Sequence, residues 1–357
     1  QKYNFLLKFT SCPTKMTYFC SLILCKPMYS ISSIPYFGES LSLIVAAMWT
    51  TSALFSEVAT KRLGANVVNV WRMIMSMSMI AVLLFVFTGN PLPPPASFST
   101  WIWLLLSGIV GYVFGDYCLF NAYHLIGSRF AQLFMTISPA AAGLAGWIFM
   151  GQTLSWMSIL GMTVTSLGIA LSILGKSEQT AAHNAKKHRV ELRLPLRGVL
   201  YGLGAGLGQG LGLVLSSKGL QQYDLNLKAL SLSAAQIDTY KMLLPFAATF
   251  VRGIAGLVGF SIVLMMAGKV QHFKTSWRDT RGLGILSCAV VFGPFVGVSL
   301  SLMATRYTSV GVGMTLMSLS PILILAPAHW LFGHRITLQE IVGACISLLG
   351  VTLFFIG

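Results

Sequence analysis

Residues 111–175 and 293–357 are two copies of one apolar segment. The first copy reads GYVFGDYCLFNAYHLIGSRFAQLFMTISPAAAGLAGWIFMGQTLSWMSILGMTVTSLGIALSILG, and adding 182 to each number aligns it with the second without a gap. The alignment places Ser138-Pro139 on Ser320-Pro321. It also superposes Gly111, Gly115, Gly151, Gly161, Gly168 and Gly175 on Gly293, Gly297, Gly333, Gly343, Gly350 and Gly357. Two similar apolar halves predict a membrane protein built from an internal repeat.

The composition is that of a membrane protein. Charged residues make up 9% of the chain and hydrophobic residues 55%, and the mean hydropathy is +0.76. Soluble domains carry about 25% charged residues, so polar groups could not cover a soluble protein of this composition. The 357 residues accommodate about ten helices of ~20 residues, the length that crosses a ~30 Å hydrocarbon core. The apolar runs do not alternate with polar residues, which argues against a transmembrane β-barrel.

The basic charge of the chain is attributed to its loops. The formal net charge is +15, but most Lys and Arg residues lie between apolar runs, where such charges set membrane topology. The six cysteines form no CxxC pair, so neither a zinc site nor a disulfide framework is predicted. The glycine run from Gly202 to Gly212 does not complete a dinucleotide-binding motif, and no phosphate-binding loop motif occurs. We therefore expect no nucleic acid, no metal and no cofactor.

The hydropathy pattern predicts an all-α integral membrane protein with about ten transmembrane helices. The predicted spans are residues 40–60, 66–88, 101–122, 129–150, 154–174, 198–219, 243–267, 283–304, 310–332 and 337–356. The proline-rich segment Asn90–Pro95 separates the second span from the third. Very short connections at Gly127, Gly151, Ser309 and Gly333 predict that neighbouring helices form antiparallel hairpins.

The domain boundaries follow from the repeat. We predict a tail or interfacial segment over 1–37, a first five-helix repeat over 38–175, a basic linker over 176–197 and a second repeat over 198–357. The first span matches the sixth at an offset of 160, the second matches the seventh at 180, and later spans match at 182, so the second repeat carries an insert at about 220–242. Met28 is an alternative start, which would leave residues 1–27 outside the native chain. Five crossings per half predict two inverted repeats, related by an axis in the membrane plane.

With these features the chain resembles the drug/metabolite transporter superfamily, in its ten-helix form with two EamA-type repeats. The residues that carry the resemblance are Gly115–Ala122, Ile126–Arg129, Ser138-Pro139 and Gly151–Leu154, with Thr308–Val310, Ser320-Pro321 and Gly333–Ile336 in the second copy. The resemblance implies a secondary carrier, independent of ATP, that moves small metabolites, amino acids or drugs, often outward, across a bacterial inner (plasma) membrane. Family members commonly have Gly-Glu after the fourth and ninth helices, whereas this chain has Gly151-Gln152 and Gly333-His334.

Asp116 is the sharpest functional candidate, because it lies in the middle of the third predicted span. A carboxylate at that depth is costly unless it is paired, protonated or hydrated, so proton coupling or binding of a substrate cation would explain it. The alternative is a packing carboxyl group that is hydrogen-bonded to Tyr112 or Asn121. Arg72 and Arg252 occupy matched positions of the two halves, where they either have a structural role or bind a substrate carboxylate.

Other residues are weaker candidates for a substrate pathway or for proton coupling, and packing is the alternative for each. They are Tyr117, Asn121, Gln132, Trp49, Gln209 and His329. Pro139 and Pro321 are predicted to kink the fourth and ninth spans and to act as hinges beside a central binding site, or else to form static kinks. The glycines Gly198, Gly202, Gly206 and Gly210 are predicted to give the sixth helix a smooth face for close packing.

The leading functional hypothesis is a transporter that works by alternating access around a cavity between the repeats. A non-transporting scaffold or receptor is the first alternative. An enzyme is not predicted, since no HExxH, GxSxG or clustered His and Asp motif occurs. The orientation is ambiguous: the resemblance implies cytoplasmic termini, which leaves 8 Lys/Arg in cytoplasmic segments and 14 on the opposite side. The positive-inside rule favours the reverse orientation.

Overall fold

The computed structural model describes residues 35–184, 195–228, 234–323 and 338–356, and all regular structure in these ranges is helical. The ranges before the linker hold α1 (Phe37–Leu63), α2 (Ala65–Thr88), α3 (Phe98–Gly108), a π-helical segment (Ile109–Asp116), α4 (Tyr117–Met135), α5 (Ser138–Met150) and α6 (Trp156–Asn184). The ranges after it hold α7 (Leu196–Lys228), α8 (Ala234–Met266), α9 (Val270–Ser276), α10 (Thr280–Val290), a second π-helical segment (Val291–Phe295), α11 (Val296–Ala304), α12 (Val310–Met317), α13 (Ser320–Leu323) and α14 (Leu338–Ile356). The predicted all-α fold is confirmed.

The helices have the length and surface of membrane-spanning segments. Six continuous helical runs in the described part of the chain are long and apolar enough to cross a membrane, and Ser138–Met150, Trp156–Ser172 and Leu338–Leu353 are shorter apolar helices. This arrangement is compatible with the ten predicted crossings. Large apolar side chains point outward, among them Val82, Val86, Leu144 and Ile148. Exposed apolar side chains of this number are expected where lipid rather than water surrounds the protein.

Equivalent helices of the two repeats pack against each other. At the contact of α6 with α14, Thr165 Oγ1 donates to the backbone oxygen of Ser347 (3.4 Å) and Ser347 Oγ donates to the backbone oxygen of Thr165 (3.2 Å). The two residues are 182 positions apart, so they are the same position of the repeat and the two bonds are reciprocal. The second and seventh helices, α2 and α8, also pack together, with Gly253 against the side chain of Met77. The pseudo-two-fold axis therefore passes through both contacts.

Helix α7 packs closely against two neighbours through glycines on different faces. A methyl group at Gly210 would lie 2.5 Å from the backbone oxygen of Ser138, and one at Gly212 would lie 2.6 Å from Gly111 Cα. Glycine is therefore required at these positions, because any side chain would push the neighbouring backbone away. The predicted smooth face of this helix is confirmed for Gly198, Gly202, Gly206 and Gly210, each of which lies against α4 or α5 or the turn between them.

The predicted hairpin at Gly127 contains no break in helical structure, because α4 continues through this residue to Met135. The chain nevertheless changes direction within α4. Ile126 contacts Gly198 at the start of α7, whereas Phe134 contacts Gly202 and Gly206 farther along the same helix. The third and fourth spans are therefore antiparallel, as predicted, with the change of direction between Ile126 and Phe134 and without the expected break in helical structure at Gly127.

Both Ser-Pro pairs follow a helix break rather than a kink. Residues 136–137 and 318–319 form turns, after which α5 begins with Ser138-Pro139 and α13 begins with Ser320-Pro321. Proline has no N–H group, and the first turn of a helix is where the absence of that donor costs least. The prediction that Pro139 and Pro321 bend continuous helices was wrong, since each proline instead starts a new helical segment.

One end of the bundle carries the short helix α9, which the sequence did not predict; we call it the short-helix face. Trp71 Nε1 donates to Ser276 Oγ (2.9 Å), and the Trp71 and Phe273 rings stack with centroids 5.2 Å apart. His272 Nε2 lies 3.0 Å from the backbone oxygen of Leu63, where α1 ends. These contacts join α9 of the second repeat to the α1–α2 turn of the first.

The opposite end carries the segment Asn90–Pro95, and we call it the proline-loop face. Tyr223 Oη donates to the backbone oxygen of Pro94, and Asn226 Nδ2 donates to Thr100 Oγ1 (2.7 Å). Both donors lie near the end of α7, which extends to Lys228, while α8 begins at Ala234. Much of the predicted insert at 220–242 is therefore helix rather than loop.

Candidate functional site

Asp116 lies at the end of the first π-helical segment and is hydrogen-bonded to the other repeat. Gln209 Nε2, on α7, donates to Asp116 Oδ1 (2.9 Å) and is also 3.3 Å from the backbone oxygen of Gly111. The predicted partners were wrong: Asn121 Nδ2 donates to the backbone oxygen of Tyr117 in its own helix (2.8 Å), and the Tyr112 hydroxyl has no hydrogen-bond partner in the described part of the chain. Asp116 therefore joins the two repeats.

The repeat register explains how this bond forms. Gly115 lies close to Gln209, since a methyl group on Gly115 would be 3.3 Å from Gln209 Nε2. Trp49 is the equivalent of Gln209 at an offset of 160, and it lies against Gly297, the equivalent of Gly115. The weak match between the first and sixth spans is thus the true structural register. The two repeats differ at the next residue, since Asp116 of the first repeat is replaced by Val298 in the second.

Two arginines, one from each repeat, lie beside Asp116. Arg252 Nη2 would lie 3.4 Å from a methyl group on Gly111, five residues before Asp116. Both guanidinium groups attract the Asp116 carboxylate, but neither forms an ion pair with it in the described part of the chain. Arg252 is only 5% exposed, and its guanidinium carbon lies 4.8 Å from the centroid of the Tyr112 ring, a cation–π contact. Arg72 Nη1 is 3.3 Å from Asn69 Oδ1. The arginines come from α2 and α8, so they lie on helices that meet at the pseudo-two-fold axis.

Several polar atoms of this cluster find no partner. The Nε atoms of Arg72 and Arg252 and the hydroxyl of Tyr112 are buried and make no hydrogen bond within the described residues. Buried polar atoms are nearly always hydrogen-bonded in native proteins, so each unpaired atom requires an explanation. We call Arg72, Tyr112, Asp116, Gln209 and Arg252 the central cluster. Sequence reasoning missed Tyr112 as a member because its contact with Arg252 depends on the π-helical turn.

The remaining predicted residues lie away from this cluster or outside the described residues. Tyr117 is half-exposed and its ring packs edge-on against Tyr201, with centroids 6.2 Å apart. Asn121 bonds locally, and Trp49 packs on Gly297 as described above. Gln132 lies in α4, but its side chain is not among those described, and His329 lies outside the described residues. Their predicted roles remain predictions.

A polar cavity of about 480 Å³ opens near the proline-loop face. Its lining includes residues of α7, of the turn after α11 and of the loop after α5: Gln152, Thr153, Ser217, Leu220, Gln221, Asp224, Thr305, Arg306, Tyr307, Thr308 and Ser309. An ion pair joins Asp224 to Arg306, and Arg306 Nη1 also donates to the backbone oxygen of Lys241 (2.8 Å). Ser217 lies eight residues beyond Gln209, about 12 Å along the helix. The cavity is thus some two turns from the central cluster.

Gln152 has a structural role at this cavity. Its Oε1 accepts a hydrogen bond from the backbone N–H of Val310 (3.0 Å), the first residue of α12. The first N–H groups of a helix lack intrahelical acceptors, so an amide oxygen can satisfy one there as a carboxylate would. A second cavity, of about 650 Å³ and apolar, lies between α5 and α6 and contains no residue of the central cluster.

The EamA-like transporter family model matches residues 36–174 and again residues 196–356. The chain belongs to the EamA-like transporter family. Among solved structures, this EamA-like chain is similar to one whose title reads "Crystal structure of protein", with 12% identity, a TM-score of 0.64, and coverage of 89% of this chain and 96% of that one. That similarity concerns the fold alone. Comparison with curated proteins gives no match.

Family membership confirms the expected resemblance to the drug/metabolite transporter superfamily with two EamA repeats. The chain is a multi-pass integral membrane protein and a transporter of the drug/metabolite type, with a small-molecule substrate and the lipid bilayer as its partners. The enzyme alternative loses support, since this is a family of transporters.

Proposed function

We propose that this transporter is a secondary carrier that moves a small solute by alternating access, with the central cluster as its binding site. The observation that carries the proposal is the hydrogen bond between Asp116 of the first repeat and Gln209 of the second. The same cluster contains the buried Nε atoms of Arg72 and Arg252, one from each repeat. Charged groups at membrane depth are costly and are typical of ion and substrate pathways. Carriers built from inverted repeats bind substrate at the interface of the repeats, near the bilayer midplane.

The polar cavity at the proline-loop face fits a water-filled approach to this site. It is lined by groups from both repeats, and α7 connects it to the cluster through Ser217 and Gln209. The helix breaks before Ser138-Pro139 and Ser320-Pro321 would supply hinge points, because turns absorb dihedral changes more readily than continuous helix. Export of the solute and proton coupling through Asp116 belong to the same proposal, with the bacterial inner membrane as the location.

Thiol accessibility tests alternating access directly. All six cysteines are replaced, and single cysteines are introduced as Asp116→Cys and, as a control in the core, Leu104→Cys, whose position is 0% exposed. Membrane-impermeant reagents of two sizes are added from either side of the membrane. We expect the small reagent to modify position 116 from each side and neither reagent to modify position 104.

A disulfide cross-link tests whether position 116 can be reached from one face when the other is closed. Disulfide bridging of Gln221→Cys to Thr308→Cys, both on the wall of the polar cavity, should close the proline-loop face. Position 116 should then react only from the short-helix face. A scaffold would leave position 116 unreactive from both sides, which would overturn the proposal. In intact cells, labelling of Lys274→Cys in α9 reports which face is external.

A further inference from the structure

The central cluster has an excess of positive charge. Neither Arg72 nor Arg252 forms an ion pair in the described part of the chain, and Asp116 is the carboxylate that attracts both. Arginine keeps its charge in proteins, so two guanidinium groups face a single carboxylate. One of the two Asp116 oxygens, Oδ1, already accepts a hydrogen bond from the side-chain amide of Gln209. The ionised cluster therefore carries a net charge of about +1 in a medium where an unbalanced charge is costly.

The three unpaired atoms of the cluster all lack a hydrogen-bond acceptor. Arg72 Nε and Arg252 Nε can only donate hydrogen bonds, and the Tyr112 hydroxyl can donate one. All three are buried and have no acceptor among the described residues. What the site lacks is an acceptor group with negative charge.

We propose that the substrate of this carrier is a small anion with a carboxylate or phosphate group. This group binds between Arg72 and Arg252 and accepts a hydrogen bond from the Tyr112 hydroxyl. The inference rests on the proposed function, in that it takes the central cluster as the substrate site. An oxyanion supplies several acceptor positions in one plane or tetrahedron, which suits guanidinium N–H groups. A cationic substrate would instead face two guanidinium groups and leave all three donors unpaired.

Asp116 has an opposing role in this proposal. The carboxylate that partly balances the arginines also repels an arriving anion, so it limits affinity and favours release of the substrate. Gln209 holds Asp116 Oδ1 in position on the α7 side. The proposal therefore makes predictions of opposite sign for neighbouring residues: loss of an arginine weakens anion binding, and loss of the Asp116 charge strengthens it.

The test measures binding by the full chain, purified in detergent. The thermal unfolding midpoint is recorded against increasing inorganic phosphate in one series and succinate in another, with sodium chloride and tetramethylammonium chloride as references at equal ionic strength. A ligand that binds only the native state raises the midpoint with its concentration. We expect phosphate or succinate, but not tetramethylammonium, to raise the midpoint above the chloride series, and the responding series identifies the oxyanion.

The variants assign the effect to the cluster. Arg72→Gln and Arg252→Gln should weaken the apparent affinity by about tenfold to a hundredfold, the usual range for one charge-assisted hydrogen bond. Asp116→Asn should tighten it by at least about tenfold. Arg62→Gln, on the short-helix face, removes an equal charge from an exposed position and should leave the affinity unchanged.

Tyr112→Phe removes only a hydroxyl and keeps the measurement decisive if an arginine variant does not fold. It should weaken affinity severalfold, because the buried donor then no longer meets the anion. The proposal is overturned if neither phosphate nor succinate exceeds the chloride series, or if Tyr112→Phe and Asp116→Asn bind like the parent. If anion binding fails while position 116 is still alternately accessible to thiol reagents, the proposal of an anionic substrate is rejected and the proposal of alternating access stands.

Discussion

Replacing Gly168 by Ala should separate the two helices that meet at the pseudo-two-fold axis. An added methyl group would lie 2.5 Å from the backbone nitrogen of Ser347 and 2.7 Å from the backbone oxygen of Gly343. Ordinary contacts of a Cβ atom begin near 3.4 Å, so α6 and α14 must move apart by roughly 1 Å. Backbone atoms cannot rotate away as a side chain would. Overpacking of this kind costs about 1–3 kcal/mol.

The same substitution in open space provides the control. Gly284 lies in α10, and a methyl group there would have no neighbour within 4 Å. Gly284→Ala should stabilise the protein by about 0.5–1 kcal/mol, because alanine restricts the unfolded chain and favours helix. Both variants share this helix-propensity gain, so the difference between them isolates the packing cost of about 1–3 kcal/mol.

Symmetry adds a second measurement. Gly350 is equivalent to Gly168 in the other repeat, and a methyl group there would lie 2.5 Å from the backbone nitrogen of Thr165. Gly350→Ala should therefore destabilise the protein about as much as Gly168→Ala does. The assay is a denaturant titration of the detergent-solubilised protein followed by tryptophan fluorescence. If Gly168→Ala proves as stable as Gly284→Ala, the close approach of α6 and α14 is refuted.

Three further predictions concern other parts of the molecule. Gln152→Ala should destabilise α12 by about 1 kcal/mol, because the N–H of Val310 loses its acceptor, whereas Gln152→Glu should restore the stability; thermal unfolding of both variants checks this. The hydrogen bond from Arg62 keeps the pKa of Asp279 below its usual value near ~4, so the pair stabilises the protein above that pH and ceases to do so as pH falls through the lower folded pKa. The unfolding midpoint is measured at pH 7 and at a pH below ~4. The decrease between the two pH values should be smaller in Asp279→Asn than in the parent, and an equal decrease would contradict the pairing. Asn121→Ala removes only a bond within one helix and should leave substrate flux, measured in proteoliposomes, within about twofold of the parent, whereas Gln209→Leu should reduce it strongly.

The repeat made the fold predictable from the sequence, because matched residues at a fixed offset must occupy equivalent environments. The match of Trp49 with Gln209, weak in sequence, is a structural equivalence, since each lies against an equivalent glycine. Helix ends were less predictable. Whether Pro139 bends a helix or begins one depends on packing around the preceding turn, and hydropathy carries no information about that choice.

The candidate site was predictable in its charged members but not in their partners. Asp116 and Arg252 stand out because ionisable groups are rare in apolar spans. The bond from Gln209 depends on which face of α7 meets the third span, and glycines occur on both faces of that helix. The role of Tyr112 depends on the π-helical turn, which changes the angular position of every side chain beyond it.

The two π-helical segments begin at Ile109 and Val291, which are the same position of the repeat. A π turn takes up one more residue than an α turn, and because both copies contain one at the same place, the offset of 182 runs through it without a gap. The irregularity therefore belongs to the repeat unit and not to Asp116, since the second copy keeps the π turn with Val298 in place of the acid. Each half thus has the same change in helical phase, but only the first half presents a carboxylate there.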